Sequence, residues 1–149
     1  MRTVNIDRVY VGSRLDAVRA SLERLKGLRG KGDGVAALAD PDRFAIAEHH
    51  ARRTLECALD VARHLLAKEG TFKPASYPEL MDGLVRLGAI PAPLARRARD
   101  LAEERNRLVH LGPEVTPQEL HGLIAGPIDH LETFCTHIEK FLRARDQEP

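Results

Sequence analysis

The sequence predicts an all-α protein, an antiparallel up-and-down four-helix bundle with one short extra helix, formed as a single domain over residues 1–149. Three observations carry that expectation. The chain is 43% apolar yet holds two Tyr, four Phe and no Trp, so Leu, Ala, Val and Ile must fill its core, which suits close helix packing better than a sheet. Its apolar residues recur at alternating spacings of four and three, the period of one helix face. Capping residues, prolines and glycines bracket each periodic stretch.

Helix one is expected between Asn5 and Arg29, where Val11, Leu15, Val18, Leu22 and Leu25 make one stripe, with Gly27, Gly30, Gly32 and Gly34 breaking it. The GLRGKGDG stretch lacks the order of a phosphate-binding loop and is expected to be a turn. Asp40 followed by Pro41 is an N-cap with proline at the first helical position, and the pattern then runs to about Lys68. On this second helix Phe44, Ala47, Ala51, Leu55, Ala58, Ala62 and Leu65 form the main stripe, and Leu59, Val61 and Leu66 widen it beyond one face. That extra width predicts a second subunit packed against the helix.

Ser76 is expected to cap a short third helix carrying Leu80, Leu84 and Leu87, stopped by Gly88. A fourth starts at Pro91 or Pro93 and runs through about Val109, with Pro113 forcing a break. Thr116-Pro117-Gln118-Glu119 combines a capping box with proline at N1, and helix five follows to about Arg145, kinked at Gly126-Pro127.

With 23 Lys and Arg against 22 Asp and Glu, the formal charge is +1, so no global field draws the chain to nucleic acid or membrane and any basic site must be local. Cys57 and Cys135 sit in apolar patterns without a C-x-x-C pair and are expected as small core residues. No apolar run reaches the roughly 18 residues of a membrane span, and the N-terminus lacks a signal-peptide core, so a cytoplasmic protein is expected. His49-His50 is not H-E-x-x-H, and His130 and His137 lack a third ligand in register; neither a metal nor a cofactor is expected.

Helix four holds the chemical anomaly. Its stripe of Leu94, Ala98 and Leu101 continues to position 105, where arginine stands, before Leu108. A guanidinium in a core-facing slot needs a carboxylate, a phosphate or a wet interface in front of it. An internal salt bridge satisfies it as well as a ligand does. His110 stands five residues on, a rotation of about 140° in an ideal helix, so the pair converges only through helix-end geometry, the long arginine arm or a second subunit.

The string ALDVARHLLA from Ala58, then ASYPEL, LGAIPAPLARR and ERNRLVH, resembles the HepT-like family of the HEPN superfamily, with Arg105-Asn106-x-x-x-His110 on its Arg-x4-His signature. The resemblance spans roughly residues 5 to 142. It implies a helical bundle whose active unit is a homodimer, a metal-independent ribonuclease cutting RNA at a cleft on the two-fold axis, and a minimal nucleotidyltransferase as antitoxin partner. It makes Arg105 and His110 the catalytic pair and Asn106 a polar assistant. The same likeness includes the D-x-x-x-H pair Asp60 and His64, one turn apart on helix two; either Asp60 orients Arg105 or the two form an exposed or intrahelical pair. A non-catalytic helical module that associates with a nucleotidyltransferase subunit is the alternative.

The residue types suit the implied chemistry. Histidine near its free pKa of about 6.5 exchanges a proton near neutral pH, and arginine offers a fork to phosphate oxygens. Arg96, Arg97, Arg99, Arg105 and Arg107 crowd the same stretch, offset by Asp100, Glu103 and Glu104, and are expected mainly as a solvated face. One position departs from the family. Where the best-known members continue to a Tyr that the partner modifies with AMP, this chain has Gly112, so neutralisation would need another hydroxyl, such as Tyr77 or Thr116, or a covered cleft.

Overall fold

The computed structural model describes residues 6–29, 34–69, 76–100 and 115–146, and among them every regular element is helical. Six α-helices follow in order: α1 (Arg8–Arg29), α2 (Pro41–Glu69), α3 (Tyr77–Leu87), α4 (Ala92–Asp100), α5 (Pro117–Ile124) and α6 (His130–Asp146). Short 3-10 turns precede α2 at Ala37–Ala39 and α6 at Pro127–Asp129. Arg105, Asn106, His110 and Gly112 lie outside the described residues.

The local start signals act as their chemistry requires. Asp7 caps α1, its Oδ1 accepting from the Tyr10 amide at 3.0 Å. Asp40 does the same for α2 through the Arg43 amide at 3.0 Å. Ser76 accepts from the Glu79 amide at 3.3 Å, and Gly88 ends α3 at φ 86°, a left-handed residue that costs glycine nothing. At α5 both halves of the Thr116–Glu119 capping box are closed, at 2.9 and 3.1 Å.

Two details differ from the sequence expectation. Helix α1 ends at Arg29 as expected but passes unbroken through Gly27, because a lone glycine weakens a helix by only about 1 kcal/mol and Leu22 and Leu25 hold this end in the core. The expected fifth helix is two helices. Gly126, at ψ −46° and φ −176°, and Pro127 interrupt the ladder, and a 3-10 turn redirects the chain into α6 rather than bending one continuous helix.

Contacts along α1 set the topology. Its cap Asp7 and its residues 14 and 21 meet His64, Asp60 and His50 of α2, and its residues 8, 15 and 19 meet Leu142, Cys135 and Glu132 of α6. Both neighbours therefore run antiparallel to α1 and parallel to each other. Helix α3 packs on α2 and α4, and α4 also packs on α6. Arg19 clamps α1 to α6 through Glu132 and Glu139.

The second subunit expected from the width of α2 is not what its apolar surface serves. Leu59, Val61 and Leu66 are 1%, 0% and 3% exposed within the single chain, because α2 packs against α1, α3, α5 and α6 and so is apolar on several sides. Among the described residues the exposed large hydrophobics are Val9 and Ile46, which make no broad face for a second copy. Cys57 and Cys135 are buried and free; burial pushes the Cys135 thiol up to about 12 and raises Cys57 as well. No described helix is long and apolar enough to cross a membrane.

Candidate functional site

Asp60 and His64 stand one turn apart on α2, facing the first turns of α1. They do not pair with each other: Asp60 meets Arg14 of α1 and Arg63 of α2, and His64 meets Asp7 at the start of α1. The Asp60 carboxylate sits 3.2 Å from Arg14 Nε and 3.7 Å from Arg63. That Arg14 nitrogen is buried and makes no hydrogen bond, so the contact with Asp60 is an ion pair outside hydrogen-bond geometry. The Arg14 guanidinium also lies 4.9 Å from the centre of the Tyr10 ring, a cation-π distance.

His64 is fixed from two sides. Its Nε2 accepts the backbone N–H of Asp7 at 3.0 Å, and its ring lies 5.2 Å from that of Tyr10. Accepting that bond requires an unprotonated Nε2, which leaves the neutral ring its proton on Nδ1. Burial, with Lys68 adding and Asp7 opposing, holds the imidazole below its ordinary value. Asp7, Tyr10, Asp60, Arg63 and His64 line an open pocket of about 370 Å³. The sequence singled out Asp60 and His64 but missed Asp7 and Tyr10, which reach the pocket through the antiparallel α1–α2 register, and Arg14, which pairs with Asp60 beside it. The signal available was the spacing of Tyr10 and Arg14, one turn apart on α1 beside its apolar stripe.

A second pocket, of about 510 Å³, is lined by Arg97 and Asp100 of α4, Glu119, Gly122 and Leu123 of α5, Pro127 and His130. It lies where the described chain leaves at Asp100 and resumes at Val115, the two ends of the stretch that carries Arg105 and His110. Burial, reinforced by Arg97 and opposed by Asp129 and Asp100, lowers the His130 pKa. Leu94 and Ala98, the start of the stripe that continues to position 105, are buried at 5% and 1% exposure. Arg99 pairs with Asp82 of α3, so one of the crowded arginines is structural. Among the described residues no group of three or more His, Cys, Asp or Glu side chains is placed to hold a metal.

A family model described as ribonuclease HepT-like matches residues 18–138. No curated protein matches the chain. Among solved structures, the chain is similar to YutE of Bacillus subtilis, described as a cytosolic protein of unknown function. The TM-score is 0.84 at 20% identity, over 99% of this chain and 97% of that one. It is also similar to a tri-AMPylated Shewanella oneidensis HEPN toxin in complex with an MNT antitoxin, with a TM-score of 0.76 at 18% identity, over 88% of this chain and 97% of that one. A toxin-antitoxin structure with AMP-PNP gives 0.77 at 18% identity, over 88% and 98%. These likenesses establish a shared HEPN-like helical fold.

Proposed function

The chain belongs to the HepT-like ribonuclease family, and from that premise we propose that it is a metal-independent endoribonuclease of a toxin-antitoxin pair, acting as a homodimer with Arg105 and His110 as its catalytic residues. The observation that carries the reading is the family match over residues 18–138, which includes the whole Arg105-Asn106-x-x-x-His110 motif. Support for the sequence pattern comes from α4, where Leu94 and Ala98, the first residues of the stripe read from the sequence, are buried.

In this mechanism the RNA 2′-oxygen loses its proton to a histidine and attacks the adjacent phosphorus, the bond to the 5′-oxygen breaks, and that oxygen leaves with a proton supplied by an acid. His110 from each of two copies provides base and acid, and Arg105 binds the phosphate oxygens as negative charge develops on them. Asn106 assists by hydrogen bonding. Asp60 and His64 belong to a supporting layer, and since His64 Nε2 is engaged by the Asp7 amide, positioning suits it better than proton transfer. An MNT-type nucleotidyltransferase is the proposed antitoxin partner, as in the complex of the Shewanella toxin.

Purified protein incubated with RNA in EDTA tests this directly. Wild type cleaves, and His110→Ala and Arg105→Ala each lose at least about a hundredfold in rate. Chelator-sensitive cleavage, or variants as fast as wild type, would refute the assignment. A protein that cleaves nothing yet copurifies with a nucleotidyltransferase is instead a helical binding module. With Gly112 in place of the family tyrosine, incubation with such a partner and ATP leaves residues 105 to 113 free of AMP by mass spectrometry.

A further inference from the structure

The α1–α2 face carries a second cluster, farther along the helices from Asp60 and His64. Ser21 is buried at 2% exposure, and its Oγ lies 3.0 Å from His50 Nδ1, fastening α1 to α2. Thr54 donates back to the His50 carbonyl at 2.7 Å. The rings of His49 and His50 meet edge-on with centroids 4.9 Å apart. Arg24 stands one turn beyond Ser21 on α1, and Arg53 one turn beyond His50 on α2.

Arg24 and Arg53 are exposed, and neither joins an ion pair among the described residues. Of the neighbouring carboxylates, Glu48 and Glu23 are engaged with Arg52 and Lys26, and Glu56, one turn past Arg53 on α2, has an interaction of its own. Besides burial, the groups that act on His50 are His49, Arg24 and Arg53; all three disfavour its charge, and no carboxylate offsets them. Two guanidiniums thus flank a pair of imidazoles with no carboxylate acting on His50, and a bound anion would turn the mutual repulsion of the cations into attraction. Guanidinium forks match phosphate oxygens bidentately, and an imidazolium adds a donor.

From this juxtaposition we propose that Arg24, Arg53, His49 and His50 form a phosphate-binding patch that holds the backbone of single-stranded RNA. The inference rests on the reading of the chain as a ribonuclease and extends it to how substrate is held. From His50 to His64 is about 21 Å along α2 at the usual helical rise, so the patch engages nucleotides separate from any that reach the Asp60–His64 pocket. Contact with the backbone alone makes the patch indifferent to base sequence.

The test uses a labelled 2′-O-methyl RNA oligonucleotide, which binds but lacks the nucleophile for cleavage, with anisotropy measured over a range of salt. The double variant Arg24→Ala/Arg53→Ala binds about tenfold more weakly at low salt, and its log–log salt slope is shallower by about 1.4, two single-strand phosphate contacts' worth. Arg24→Lys/Arg53→Lys restores most of the salt slope, and Lys140→Ala on α6 changes neither quantity. In wild type, adding the oligonucleotide raises the pH at which the His50 NMR signal titrates, which a merely structural pair of arginines would not produce.

Equal affinity and slope for wild type and the alanine double variant would overturn the patch while leaving cleavage through Arg105 and His110 intact. A wild type that neither binds nor cleaves RNA would overturn both readings. Loss of affinity for a nucleotidyltransferase partner with RNA binding unchanged would make the face a protein interface and also refute the proposal.

Discussion

Asp60 holds together residues that the sequence keeps far apart. Its two cationic neighbours, Arg14 and Arg63, are each within 4 Å, and Arg14 is in turn flanked by the Tyr10 ring. Because these side chains are about one-third to one-half exposed, solvent screens the ion pairs, and their net contribution is at most about 1 kcal/mol. Asp60→Asn is therefore expected to lower unfolding stability by no more than about 1 kcal/mol in urea titration; a loss several times larger would show a desolvated charge network instead. Phe134 is the opposite case. It is fully buried on α6, so Phe134→Ala removes a ring from a packed core and is expected to cost about 3–5 kcal/mol by the same measurement.

At the scale of the element, helix ends are fixed by local caps. The Thr116–Glu119 box satisfies two amides that the first turn of α5 leaves without helical partners. Thr116→Ala is expected to lower stability by about 1 kcal/mol, and Thr116→Ser to recover most of it, in paired denaturant titrations. Equal midpoints for all three proteins would show that packing alone sets the start of α5. These ends were legible in the sequence because a cap is a local device: Ser76, Thr116 and Asp40 act on amides within three residues of themselves. The break between α5 and α6 was only half legible. Gly126-Pro127 announced a disturbance, but whether the helix bends or stops depends on burial of Ile128 within the turn and Leu131 just after it.

For the molecule as a whole, three half-buried histidines link stability to pH. His50, His64 and His130 all have pKa values lowered from 6.5, with burial the largest cause in each. The unfolded chain thus takes up protons before the folded one, so stability is fully present above about pH 6.5 and is lost as pH falls through the window below it. Glu139 adds a second, lower step. Its pKa is depressed below 4.5 by Arg19, so its contribution is present above that value and disappears as pH falls through the folded pKa. Thermal midpoints that stay level from about pH 7 to about pH 5 would contradict the histidine contribution. The proposed composite site requires two copies; sedimentation at low micromolar concentration is expected to show a dimer, and a monomer alone would exclude a site shared across a two-fold axis.

By itself the sequence determined the helical class, the capped starts of α2, α3 and α5 and the core stripes, because these depend on interactions within a few residues of one another or on a 3.6-residue period. Its Arg-x4-His motif, together with the longer family resemblance, also pointed to the family. Tertiary structure decided what faces what. The surplus apolar width of α2 is absorbed by four neighbouring helices instead of a second subunit, and Asp60 and His64 bond to α1 instead of to each other. Arg24 of α1 comes near His49, His50 and Arg53 of α2 because the Ser21–His50 contact sets the register between those helices. Periodicity tells which side of a helix is apolar, but not how many partners share that side. Which residues meet across two helices is fixed by packing between segments distant in the chain, and no local pattern encodes it.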